Sequence, residues 1–135
     1  MSSKPSDPRG RPIFLDLRRI RFPVGALASI LHRLSGAVLV LTAPAALGLL
    51  AYSTRSPAAF REVSEWLAGV PAALVLAVLA AAFAHHLLAG VRILLLDAGI
   101  GVALRPARAM AWVALVGAAV AGLVALVALW PRGGA

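Results

Sequence analysis

Six polar side chains lie where the surrounding sequence is apolar. The stretch "SILHRLSG" (29–36) puts Ser29, His32 and Arg33 at the head of one long apolar run, and "HHLLAGVRILLLD" (85–97) puts His85, His86 and Arg92 inside another. A neutral imidazole with a free lone pair is a common metal ligand. A guanidinium stays charged and offers a fork of donors to carboxylates and carbonyls. Together these side chains suit two chemistries. One is holding a metal-centred macrocycle by its iron and its acidic edge. The other is binding the polar head of an otherwise apolar molecule.

On a helix, Ser29, Arg33 and Gly36 fall along one side at spacings of four and three, with His32 beside them. Arg33 is open to two readings. It either snorkels to lipid headgroups or joins Ser29 in a polar pocket for a carbonyl or carboxylate. His86 precedes Asp97 by eleven residues, about 16 Å of helix. If the run ends near Asp97, that depth is close to mid-membrane, where ionisable groups usually face protein or a cofactor. Here too two readings stand: an axial haem ligand, or a neutral histidine hydrogen-bonded to a neighbouring helix. Adjacent residues point about 100° apart on a helix, so His85 and His86 do not share a target. Ala82, Ala89 and Gly90 leave room around His86, whereas Val78 and Leu88 crowd His85. Arg92 lies about 9 Å of helix nearer the inner side, within reach of the propionate edge of a haem held by His86. His32 and Arg33 start their run on that same side. His32 reads as too near the inner surface to oppose His86 across an iron, so a second axial ligand is expected from another chain.

The elements that must position these groups are membrane helices. Of the 135 residues, 61% are hydrophobic and 13% charged, whereas soluble domains average about a quarter charged. Leu34 to Thr54, Trp66 to Val91 and Ala109 to Pro131 contain no Asp, Glu, Lys or Arg. Each is long enough for the roughly 20 residues that cross a hydrocarbon core, and only helix satisfies the backbone there. The expected architecture is all-α, with three transmembrane helices running up-down-up at about 30–54, 66–94 and 109–130. A membrane domain over 26–131 then follows an N-terminal basic segment, 1–25.

The formal net charge of +8 comes from 12 arginines and one lysine against five acids. The basic residues gather at the start of the chain and between apolar runs, which argues against a nucleic-acid face. Lys4, Arg9, Arg11, Arg18, Arg19, Arg21 and Arg33 precede or open the first run, and Arg105 and Arg108 lie in the second connection. Arg55 and Arg61 lie in the first connection beside Glu62 and Glu65. Basic loops stay inside, so the N-terminus and second connection are expected in the cytoplasm, with the first connection and the C-terminus outside. Residues 13–22, "IFLDLRRIRF", read either as a short helix on the inner membrane surface or as an irregular basic tail, set apart from the first span by Pro23. No cleavable signal peptide is expected in residues 1–21.

Other chemistries lack their residues. There is no cysteine, so no thiolate site or disulfide. No phosphate-binding glycine loop and no His-x-x-x-His pair occurs. Glu62 and Glu65 are expected to cap a surface helix in an outer loop.

The two stretches, in order and about 50 residues apart, resemble the cytochrome b556 family of succinate dehydrogenase anchor subunits. "RPIFLDLRRIRFPVGALASILHRLSG" is similar to that family's opening, with Ser-Ile-x-His-Arg-x-[Ser/Thr]-Gly at its end. "HHLLAGVRILLLD" is similar to its second signature, His-x-x-x-Gly-[Ile/Val]-Arg-x-x-x-x-Asp. The resemblance implies a bacterial inner-membrane subunit of complex II. Such a subunit, with a second small membrane anchor, holds an iron–sulfur subunit and a flavoprotein subunit on the inner face. It serves the tricarboxylic acid cycle and respiratory chain and is not an enzyme alone. The implied cofactor is haem b, shared with the partner anchor, with His86 as one axial ligand. Ubiquinone or menaquinone is the implied substrate. Ser29 and Arg33 match quinone-site positions, and His32 and Arg33 match positions beside the haem propionates. One departure stands out: many relatives place histidine directly after the second signature's arginine, where this chain has Ile93. The contrasting reading is a haem-free membrane scaffold or small transporter in which Arg33, His86 and Arg92 are interhelical hydrogen-bonding groups.

Overall fold

The computed structural model describes residues 22–131, so the basic segment expected at the inner surface lies almost wholly outside the described residues. Four helices follow in order: α1 (Val24–Ser53), α2 (Pro57–Leu67), α3 (Val70–Asp97) and α4 (Leu104–Leu129). α1, α3 and α4 are each long and apolar enough to cross a membrane. The described residues are otherwise connections, so the all-helical, three-span reading holds.

The helix ends differ from the charge-free stretches for local reasons. Pro23 is the N-cap of α1, which starts at once behind it. α1 therefore begins ahead of the expected 30, and Arg33 lies in its third turn. The expected second span began at Trp66, but Trp66 belongs to α2, and α3 starts after Gly69 with Pro71 in its first turn. Proline is tolerated there because its missing N–H would have had no helical partner. α4 likewise begins at Leu104 and takes Pro106 and both arginines into its opening turns.

The first connection holds a helix of its own. Ser56 caps α2, its Oγ accepting from the Ala59 N–H at 3.1 Å, and Pro57 follows at the first helical position. Glu62 and Glu65 thus lie within α2, and the expectation that they cap it is corrected. Glu62 instead accepts from the Tyr52 hydroxyl at 2.7 Å, tying α2 to the end of α1. α3 ends in a Schellman motif: Gly99 N–H bonds Leu96 O at 3.0 Å and Ile100 N–H bonds Leu95 O at 2.8 Å. Gly99 takes the required left-handed φ of 78°.

The core is a seam of alanines, among them Ala28, Ala73, Ala89, Ala111 and Ala114, all fully or almost fully buried. No large side chain is enclosed to that degree among the described residues. Small side chains let helix backbones approach closely, which is how helices associate where lipid tails remove the hydrophobic drive. The outward faces carry large apolar groups such as Leu41 and Leu94, as suits hydrocarbon surroundings. α3 packs most extensively on α4 and next on α1. It runs antiparallel to both, which sets the N-terminal ends of α1 and α4 beside the C-terminal half of α3.

Candidate functional site

The site forms where α1 crosses the middle of α3. His32 and His86 stack, their ring centroids 4.3 Å apart and their planes 13° from parallel. His86 Nδ1 lies 3.2 Å from the His32 carbonyl oxygen and 3.4 Å from Ser35 Oγ. The Ser35 hydroxyl donates its own proton to the same carbonyl at 2.9 Å. A carbonyl oxygen can only accept, so Nδ1 is the donor and the ring's lone pair is on Nε2. Both hydrogen bonds of the His86 ring among the described residues fall on Nδ1.

Glycine opens the space for this ring. A Cβ on Gly36 would come within 2.8 Å of His86 Cε1, and a Cβ on Gly90 would lie 3.5 Å from His32 Nε2. Gly36 follows His32 by four residues, and Gly90 follows His86 by four. Gly36 thus makes room for the His86 ring, whereas at Gly90 a methyl would stand at ordinary contact distance from His32.

His85 is placed differently. It is 4% exposed, with Nε2 3.2 Å from Ala28 O on α1 and Nδ1 3.4 Å from Ala114 O on α4. The interhelical hydrogen-bonding role weighed for His86 is thus observed for both histidines, His86 bonding α1 through Nδ1 and His85 facing carbonyls of α1 and α4. Ser29 is half-buried and Arg33 exposed, on the flank of α1 adjoining His32 and Gly36. Arg92 is set apart, between α4 and the first turn of α1. Its Nε donates to Ala107 O at 3.5 Å, and a terminal nitrogen lies 3.2 Å from where a Gly25 Cβ would be.

The structure thus brings His32 and His86 together, with Ser29 and Arg33 on the adjoining flank, and holds Arg92 farther toward the N-terminal ends of α1 and α4. Depth does not separate His32 from His86 as the sequence suggested: the rings lie side by side. Parallel stacking at 4.3 Å, not depth, keeps His32 from opposing His86 across an iron, since no macrocycle fits between the two rings. Sequence reasoning missed Ser35 as a hydrogen-bond partner, although its three-residue spacing from His32 was visible. A separate, largely apolar cleft of about 520 Å³ lies among α1, α2 and α3, lined in part by Thr42, Ser53, Phe60 and Trp66. It includes none of the histidines.

Residues 7–125 match the family described as succinate dehydrogenase/fumarate reductase transmembrane subunit. The chain belongs to that family. It is also similar to the succinate dehydrogenase cytochrome b556 subunit of Coxiella burnetii (strain RSA 493 / Nine Mile phase I), with 34% identity over 126 residues, covering 89% of this chain and 97% of that relative. The match takes in all of α1, α2 and α3 and most of α4, so the family's transmembrane unit and the observed three-span bundle coincide. The histidine crossing lies wholly within it.

Proposed function

We infer that this chain is a membrane anchor subunit of a succinate:quinone oxidoreductase, holding haem b jointly with a second small anchor and supplying part of a quinone site. Family membership supports the anchor role. The observation that carries the haem role is the His86 ring: Nδ1–H is engaged by the His32 carbonyl, and the lone pair is left on Nε2. Histidines that bind metals almost always donate their other ring N–H to a carbonyl, carboxylate or water, which fixes tautomer and orientation. The contact at Gly36 adds a second point of fit, because any side chain there would push the ring out of place.

In this reading His86 Nε2 would ligate the haem iron, and the partner anchor would supply a further ligand. When bound, the haem supplies a one-electron carrier within the membrane. His32, Arg33 and Arg92 would hold its propionates through hydrogen bonds and positive charge. Ser29 donates to the quinone head, and Arg33 orients and polarises a quinone carbonyl. Two electrons and two protons reduce the quinone, and the protons reach it through water or a partner side chain. An iron–sulfur subunit and a flavoprotein subunit dock on the cytoplasmic face of a bacterial inner membrane, where the N-terminus and the α3–α4 connection lie.

The quinone role is tested with Arg33→Ala in the assembled complex. Succinate–quinone reduction is expected to fall at least tenfold, while succinate oxidation with an artificial acceptor persists. Equal loss of both activities would assign Arg33 to assembly instead.

A further inference from the structure

The proposed function leaves His85 without a task, although it is 4% exposed and both its ring nitrogens face backbone carbonyls. Those carbonyls belong to different helices, Ala28 O on α1 at 3.2 Å and Ala114 O on α4 at 3.4 Å. Whichever nitrogen carries the proton, its bond leaves α3 for a neighbour.

α3 needs such a tether. Its sequence, "VPAALVLAVLAAAFAHHLLAGVRILLLD", is apolar on every side above Arg92 except at the two histidines. A helix that is hydrophobic all round has little in its pattern to fix its rotation. The adjacent histidines make this consequential, because turning α3 by about 100° would carry His85 to where His86 now stands. A single buried polar residue can specify register in an otherwise apolar interface, as a core asparagine does in coiled coils.

We propose that His85 is a positioning residue: its ring, wedged between Ala28 O and Ala114 O and donating its one N–H to one of them, fixes the rotation of α3 and so holds His86 against His32, Ser35 and Gly36. The proposal rests on the reading of His86 as a haem ligand. It separates the roles of the two imidazoles. His85 spends its one N–H on a neighbouring helix, and His86 keeps Nε2 free for iron.

The test uses the assembled complex carrying His86→Ala, His85→Leu, His85→Gln or His85→Asn. The readouts are haem content and the electron paramagnetic resonance spectrum of the oxidised haem. His86→Ala is expected to lose the haem. His85→Leu is expected to retain haem in part, with the single low-spin signal of the parent replaced by a shifted or heterogeneous one. In His85→Gln the amide nitrogen falls near the position of Nε2, keeping the tether to Ala28, so the parent signal should return. His85→Asn, which reaches toward Ala114 instead, should restore it less, because α1 carries the partners of His86. Fewer complexes but an unchanged signal in His85→Leu would overturn the proposal and leave a packing role. Haem retained in His86→Ala but lost in His85→Leu would overturn it by making His85 the ligand. A parent complex without haem would overturn the haem reading and this role with it.

Discussion

The imidazole of His86 lies flat against that of His32 and donates its Nδ1 proton to the backbone carbonyl of the same residue, 3.2 Å away. Ring and carbonyl therefore act on His86 separately, and a substitution can remove one without the other. His32→Ala deletes the stack but keeps the carbonyl. Aromatic pairs contribute about 0.5–1.5 kcal/mol beyond their burial, and the proposed propionate contact goes with the ring, so His32→Ala should lower the thermal midpoint of the complex and reduce its haem content, though less than His86→Ala does. Pigment and thermal unfolding measured on one preparation check this.

Gly36 and Gly48 lie on one helix and should respond oppositely to alanine. At Gly36 the added methyl meets the His86 ring at 2.8 Å, whereas at Gly48 nothing lies within 4 Å. Overpacking of this kind costs about 1–3 kcal/mol, and here the ring must give way. Gly36→Ala is expected to lower haem content severalfold. Gly48→Ala should leave it unchanged, with a gain in helix stability of up to about 1 kcal/mol. Equal behaviour of the two variants would contradict the cradle.

The α3–α4 seam yields a second comparison. A Cβ on Gly122 would meet Ala81 Cβ at 3.0 Å and the Ala77 carbonyl at 3.3 Å, neither of which can turn aside. A Cβ on Gly117 would meet only the end of the Leu88 side chain, which can change rotamer. Gly122→Leu is therefore expected to part the helices and reduce yield of the complex, with Gly117→Ala much milder. Quantifying assembled complex in detergent extracts distinguishes them.

Much of this was legible in the sequence, and the remainder has identifiable causes. The three spans were visible because lipid demands uncharged helices of a minimum length, although their ends were set by Pro23, Gly69, Pro71 and Pro106 rather than by the nearest charge. α2 was hidden because "SPAAFREVSEWL" mixes both signs of charge with turn formers, and its serine cap reads equally well as a turn. The pairing of His32 with His86 was not legible, because spacing alone set them at different depths and only the crossing of α1 and α3 brings their rings together. His85 could not be placed, because its partners are backbone carbonyls of Ala28 and Ala114, which every residue type possesses. Only the packing of three helices decides which carbonyls come near. Arg92 was expected at the propionate edge on the basis of depth alone, and its contacts with Gly25 and Ala107 depend on helix rotation, which spacing does not supply.

Orientation can be tested directly because the chain contains no cysteine. A single cysteine replacing Ser56, before α2, should react with a membrane-impermeant maleimide in whole cells. One replacing Arg105, at the start of α4, should react only after the membrane is opened. The reverse pattern would contradict the inside placement of the basic connection.

The most direct measurement of the central claim is the dithionite-reduced absorption spectrum of the intact complex from the parent, His86→Ala and His85→Ala chains. Ligation through His86 Nε2 predicts a b-type band in the parent, its loss in His86→Ala and its survival, shifted or weakened, in His85→Ala. A band of full strength in an intact His86→Ala complex would contradict that ligation.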